Sequence, residues 1–416
     1  MDPRDNPYAP GAGLQPPELA GRDKLLKDVA IDMDRILGGR PAKGTLMLGL
    51  RGVGKTVLLN RMYDAAVEKG LKTARIEAPE GGMLPQLLAP ELRRVLYSLD
   101  LKRAAGKKIY RAASILRNFV AAFKVKVGDI EIGVDPAQGF ADSGNLEQDM
   151  PSLLAAVCEA AQERKAAVGL FIDELQYLTS AELASLIVAC HEVAQRNLPM
   201  LFVGAGLPHL AALAGNAKSY AERLFNYPVV GQLAPAAARA ALVNPAKRQG
   251  VMFREDAVEE ILRITERYPY YLQVWGSHLW NLAAGSPIRL ADAQHARPAA
   301  IADLDANFFR VRFDRLTALQ QKYLRAMAEL KQEPYSSGKI AAVLGVGPAD
   351  VATVRQQLIE KGMIWSQRHG ETAFTVPLFA EFMKRRMPHL EKHTPRKRRV
   401  RAAVPRRRTP GMRGRK

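Results

Sequence analysis

The sequence predicts an α/β fold, a parallel sheet wrapped by helices, and three observations carry that prediction. Apolar runs of strand length alternate with helical patterns about five times between residues 45 and 233. The first run ends in a glycine-rich loop that leads straight into a helix. A later run ends in two adjacent carboxylates. Crossovers of this kind bring the carboxyl ends of parallel strands to one edge of the sheet, so loop and carboxylates are expected to meet.

The loop is Gly49-Leu50-Arg51-Gly52-Val53-Gly54-Lys55-Thr56, placed after the strand Thr45 to Leu48 and before a helix running from Lys55 to Lys69. A glycine, four free positions and Gly-Lys-Thr form a phosphate-binding pattern in the setting it requires. Glycines let backbone N–H groups approach phosphate oxygens, and the helix adds its positive N-terminal end. Gly49, Gly52, Val53, Gly54, Lys55, Thr56 and Val57 are therefore candidate nucleotide-binding residues. Lys55 is expected on the β- and γ-phosphates of ATP, and the Thr56 hydroxyl on Mg²⁺. An ordinary turn before an ordinary helix is the plain alternative.

The carboxylates close the run Val168-Gly169-Leu170-Phe171-Ile172-Asp173-Glu174. Asp173 is a candidate Mg²⁺ ligand, and Glu174 a candidate catalytic residue that polarises the attacking water. An Asp-Glu pair after a strand says little alone, since helix N-termini favour acids. Beside a phosphate loop it gains a role.

The other elements follow in order. Residues 1–16, rich in Pro and Gly, read as a flexible segment. A nucleotide-binding domain spans 17–234, opening with a helix to about Leu37. Its remaining strands are Leu71 to Ala78, Leu198 to Gly206 and Tyr227 to Leu233. Its remaining helices are Pro85 to Ser98, a basic one reaching Ala122, Met150 to Arg164, Ser180 to Gln195 and one from about Pro208. An inserted β-hairpin at 123–134 turns on Gly128-Asp129 and reads as cover for a sheet face or edge, or as a contact for a partner subunit or DNA. Residues 235–300 form a small helical domain, in which Tyr268, Tyr270, Tyr271, Trp275 and Trp280 read as core rather than as a base-stacking platform.

Within 301–390, helices at Thr317 to Leu330, Ser336 to Leu344 and Pro348 to Glu360 precede a hairpin of Met363 to Ser366 with Glu371 to Val376. Three helices and a hairpin describe a winged helix, whose third helix would offer Thr353, Arg355 and Gln356, and its wing Arg368, to double-stranded DNA. A winged helix that binds protein, or only packs on its neighbour, is the other reading.

Lys and Arg number 61 against 42 Asp and Glu, but 12 of the basic residues crowd into 392–416 with no acid among them. Residues 391–416 thus read as a disordered basic tail drawn to polyanions, nucleic acid before membrane surfaces. The two cysteines, Cys158 and Cys190, sit in apolar helical patterns and read as reduced thiols. No secretory signal and no apolar run of about 18 residues is visible, so a cytoplasmic protein without a membrane span is expected.

With these parts in this order, the chain resembles the AAA+ ATPases over residues 14 to 388, and among them the origin-recognition and helicase-loader (initiator) type and bacterial ATP-binding proteins with a C-terminal winged helix. The carrying motifs are Walker A at Gly49–Thr56 and Walker B at Gly169–Gln176. The resemblance implies a P-loop NTPase sheet with a helical lid, Mg²⁺-dependent ATP hydrolysis, an adenine pocket lined by Leu19 to Asp23, and assembly with further copies or a partner protein. It also implies that Arg223 reaches a neighbouring subunit's nucleotide as a catalytic arginine, a surface salt-bridge partner being the alternative. Two departures stand out. Gly204-Ala205-Gly206 replaces a polar residue after the fourth strand, and Thr265 to Pro269 lacks a clear lid arginine, Arg267 being the nearest. Slow turnover, with ATP acting as a switch, follows from both, and a nucleotide-gated scaffold with vestigial hydrolysis is the competing function.

Overall fold

The computed structural model describes residues 1–390 except 12, 82, 100–105, 126–138, 332, 367 and 369. Most of the expected hairpin at 123–134 and all of the tail at 391–416 lie outside the described residues.

Helix α1 (Asp23–Leu37) buries Val29, Met33 and Ile36 and leads to β1 (Gly44–Leu48). Then come α2 (Lys55–Glu68), β2 (Lys72–Glu77), α3 (Leu84–Ser98), α4 (Lys107–Ala122), α5 (Leu146–Glu163) and β3 (Val168–Asp173). Helix α6 (Ser180–Gln195) starts on a capping box between Thr179 and Glu182, which satisfies N–H groups that the first turn leaves unpaired. After β4 (Met200–Gly206) the chain forms α7 (Leu210–Ala217), α8 (Ala221–Leu224) and β5 (Phe225–Asn226).

The five strands pair in parallel in the order β2-β3-β4-β1-β5. Strands β3 and β4 are buried along their whole length, which is why they read as unbroken apolar runs. Alternation assigns their side chains to two cores. Met47, Phe171 and Val203 join the core on the α1 and α2 face, whereas Leu46, Leu170, Ile172 and Phe202 join the one packed by α3 to α6. The strand expected at Tyr227 to Leu233 is instead the two-residue β5, followed by a single bridge between Val229 and Leu48. Pro228 has no N–H to extend the ladder.

A helical unit follows as α9 (Pro235–Arg248), α10 (Glu255–Ile264), α11 (Pro269–Leu282) and α12 (Leu290–Asp303). A π-helical stretch, Leu304–Phe309, and the short α13 (Arg310–Phe313) connect it to the last unit. There α14 (Ala318–Glu329), β6 (Tyr335–Ser336), α15 (Ser337–Leu344), α16 (Pro348–Glu360), β7 (Ile364–Trp365), β8 (Glu371–Phe374) and α17 (Phe379–Arg386) appear in sequence. The strands form a small antiparallel sheet in the order β6-β8-β7.

The N-terminal segment, expected to be flexible, packs along α11. Trp280 donates its indole N–H to the Asp2 carbonyl at 2.7 Å, and Tyr8 is only 5% exposed. Tyr268, Tyr271, Trp275 and Trp280 are core, as their helical spacing suggests. Cys158 and Cys190 are free buried thiols, and burial pushes Cys190 up to about 12. No helix among the described residues is long and apolar enough to cross a membrane.

Phe171 is fully buried and meets Tyr63 edge to face with ring centroids 5.6 Å apart. Phe171→Ala should therefore cost about 3–5 kcal/mol, read as a lowered denaturation midpoint at unchanged slope.

Candidate functional site

The carboxyl ends of β1, β3 and β4 form one rim, with Leu48 paired to Gly206 and Ile172 to Gly204. The loop after β1 and the carboxylates after β3 meet there. Thr56 donates its hydroxyl to Asp173 Oδ2 at 2.6 Å, joining residues 117 apart in the chain. Asp173 also accepts the Glu174 N–H on Oδ1 at 2.8 Å. The buried Lys55 ammonium donates to the Leu50 carbonyl at 3.0 Å, which curls the loop around it.

Two glycines in the loop meet a conformational demand. Gly52 has φ +81° and Gly54 has φ +93°, and no atom stands within 4 Å of where a Gly54 Cβ would be. Gly49 serves a different purpose, because a Cβ there would stand 2.2 Å from the Val230 carbonyl oxygen. It is a point of close packing rather than part of the cavity wall.

A cavity of about 480 Å³ opens beside the loop, lined by Arg51 to Leu58, including the expected Gly52, Val53, Gly54, Lys55, Thr56 and Val57, and by Glu174. Of the expected adenine-pocket residues, Leu19, Ala20 and Arg22 line it. Arg22 ties the helical unit's approach to the loop by donating to the Gly231 and Val53 carbonyls. Glu174 holds a left-handed backbone, φ +54°, a conformation that costs on the order of 1 kcal/mol or more in a non-glycine residue. Its carboxylate accepts a bond from Gln176 Nε2.

Burial dominates the electrostatics. It lowers the Lys55 pKa, opposed by Glu174 and Asp173, and it raises that of Asp173 above 3.8, opposed first by the Thr56 bond. Both shifts follow first from desolvation, which disfavours the charged form of each group.

Three participants escaped the sequence reading. Gln176 spans from Glu174 to the Leu207 N–H, which it accepts at 3.0 Å, and its Oε1 stands 2.9 Å from where a Gly206 Cβ would be. The bare glycine thus leaves room for the Gln176 amide at the end of β4. Arg312, on the connector, lines the cavity, stacks 4.0 Å over the Phe308 ring and keeps its Nε without a partner. Burial, with Arg51 adding to it, lowers its pKa to about 10. Tyr270, grouped with the aromatic core, lines the cavity instead. Arg267 is absent from the wall, where its backbone carbonyl accepts the Leu233 N–H at 3.1 Å. Arg223 is exposed on α8 and does not line the cavity of its own chain.

Among the described residues no cluster of three or more His, Cys, Asp or Glu could hold a metal by itself. The Thr56 and Asp173 pair fits a different kind of cation site, one that nucleotide phosphates complete.

Residues 18–203 match the AAA ATPase domain. With the five-stranded parallel sheet, the match gives the chain the P-loop AAA+ fold. Residues 306–383 match a domain of unknown function. No curated protein matches the sequence. Among solved structures, the Walker-type ATPase PABY2304 of Pyrococcus abyssi has a TM-score of 0.57 at 14% identity, covering 88% of this chain and 96% of its own. The Aeropyrum pernix ORC1 protein in complex with DNA gives 0.45 at 17%, covering 89% and 93%. The Thermotoga maritima RuvB Holliday junction branch migration motor gives 0.44 at 15%, covering 86% and 95%. The first supports the fold; the other two carry no further weight.

Within the matched residues 18–203, Asp173 binds its proton more tightly in the folded chain than at the ordinary 3.8. Its contribution to stability therefore falls as pH rises through that window, and at neutral pH its charge is a cost. Asp173→Asn should raise the melting temperature of the ligand-free protein at pH 7 while weakening Mg²⁺-dependent nucleotide binding, both readable in one thermal-shift series.

Proposed function

We propose that the chain is a Mg²⁺-dependent ATPase whose nucleotide state governs a C-terminal nucleic-acid-binding unit. The 2.6 Å contact of Thr56 with Asp173, beside the buried Lys55, is the observation that carries the ATPase reading. In it, Lys55 and the loop N–H groups hold the phosphates, while Thr56 and Asp173 would hold Mg²⁺. A bound Mg²⁺ neutralises phosphate charge. Glu174 orients the attacking water and accepts its proton, and Gln176 fixes the direction of the Glu174 carboxylate. Arg312 offers a cationic group from the same chain, and the exposed Arg223 is free to offer one to a second copy.

For the last unit, we read α14, α15 and α16 with the β7–β8 hairpin as a winged helix. On α16 Thr353 and Gln356 are exposed, whereas Arg355 turns back to donate to Ser366 Oγ at 2.8 Å and the Glu371 carbonyl at 3.2 Å. Arg355 therefore braces the hairpin. Attraction to DNA phosphates falls to Lys384 and Arg386, exposed on α17, and to the 12 basic residues of 392–416. A specific observation keeps the scaffold reading in play, since the exposed face of α16 carries the acids Asp350 and Glu360.

Lys55→Ala should abolish nucleotide binding, measured by calorimetry. Glu174→Gln should bind ATP normally and lose about 10²-fold or more in turnover. An unchanged rate in Glu174→Gln removes it from the chemistry. A salt titration of duplex binding should show steep salt dependence, with a shallower slope once 392–416 is deleted; no duplex binding at physiological salt favours the scaffold.

A further inference from the structure

We infer that Tyr8 is a positioning residue that fixes one wall of the nucleotide cavity to the helical unit and so sets how fast nucleotide leaves. The inference rests on the nucleotide reading of that cavity. Ala9, Gly11, Gly13, Leu14 and Pro16 all line it, so residues just after Tyr8 form part of its enclosure. Leu14 is 56% exposed there, an apolar side chain that a bound base or ribose could cover.

Tyr8 anchors this wall in a slot made for it. A Cβ at Gly276, in the middle of α11, would stand 2.4 Å from both Cδ1 and Cε1 of the Tyr8 ring. Glycine inside a helix costs roughly 1 kcal/mol relative to alanine, and here its bareness lets the ring lie directly on the helix backbone. The hydroxyl of Tyr8 then donates to the Leu242 carbonyl of α9, so one side chain pins two helices. On either side of the ring, Asn6 Nδ2 donates to the Ser277 carbonyl at 3.1 Å, and the Ala9 N–H donates to Gln273 Oε1 at 3.3 Å. Gln273 is 7% exposed and itself faces the cavity.

Further along, a Cβ on Gly13 would lie 3.7 Å from Thr56 Cγ2. The segment therefore joins the helical unit at Tyr8 and runs close to the phosphate-loop helix at Gly13, with the cavity between. Nucleotide leaving past this wall has to displace it, and the displacement is resisted where Tyr8 is seated.

The test is release of a fluorescent ADP analogue from the full-length protein, followed by stopped flow with excess unlabelled nucleotide. Tyr8→Ala should speed release about tenfold or more, and so should Gly276→Ala, whose added methyl collides with the ring without touching the cavity. Tyr8→Phe, which keeps the ring, should restore slow release to within about threefold of the unaltered chain. Release at the unaltered rate in both alanine variants overturns the assignment while leaving the ATPase reading intact. Failure of the unaltered chain to bind the analogue overturns both.

Discussion

The hydrogen bond from Thr56 to Asp173 fixes the geometry of everything around it, and it has to span a strand. With β4 lying between β1 and β3, their backbones run about 10 Å apart, too far for direct backbone contact. The reach is made because Thr56 stands on α2, beyond the loop, where its side chain meets Asp173, and the end of the intervening β4 is bare. Gly204 leaves room for Leu175, whose Cδ1 stands 2.4 Å from where a Cβ would be, and for Leu46 at 2.7 Å. Gly206 leaves room for Leu210 and Gln176. What looked in the sequence like the loss of a polar residue is a packing requirement of the carboxylate turn. The amide of Gln176 enters the space this creates.

The phosphate loop is also where all three units touch. A Cβ on Gly52 would meet Tyr268 at 3.0 Å and Phe308 and Tyr270 at 3.4 Å, so the helical unit and the connector both rest on the loop's middle glycine. Tyr268 donates its hydroxyl to the Arg51 carbonyl. The Arg51 guanidinium donates to the Tyr177 hydroxyl, just past the carboxylates, and stands 3.0 Å from where a Gly362 Cβ would be, in the turn after α16. On the connector side, the Arg315 carbonyl accepts Lys361 Nζ at 2.9 Å. Two adjacent loop positions thus receive contacts from the helical unit, the connector, the acidic turn and the C-terminal unit.

The sheet was legible because its signals are local. Periodicity marks the buried strands, and a glycine-rich pattern in a fixed setting marks the loop. Parallel topology then forces Lys55, Thr56 and Asp173 together without any knowledge of side-chain contacts. The misses share a different cause. Arg312 lies 257 residues beyond Lys55 in a segment with no motif, and only tertiary packing brings it to the cavity. Arg355 sits on the expected helix, but its direction depends on the hairpin it braces, which helical spacing does not encode. Residues 1–16 looked flexible from their Pro and Gly, because the one aromatic that holds them, Tyr8, finds its seat on a glycine 268 positions away. Gly276 is the trace of that contact in the sequence, a helix-interior glycine with no local reason to be there.

Taken together, the charged residues around the cavity are predominantly basic. Lys55, Arg51, Arg22 and Arg312 converge on it, with Glu174 as the acid on the wall and Asp173 behind Thr56; Glu18, also on the wall, is tied up with Arg248. Burial lowers the pKa of Lys55, Arg22 and Arg312, and the Nε atoms of Arg51 and Arg312 are buried without partners. This desolvation opposes folding. On the proposed ATPase reading, a polyphosphate in the cavity would supply acceptors to the same groups. Because these cations come from the loop, the start of α2, the residue that precedes α1 and the connector, each depends on a different packing contact for its place. The placement of these cations and the cohesion of the units around the cavity therefore rest on the same packing contacts.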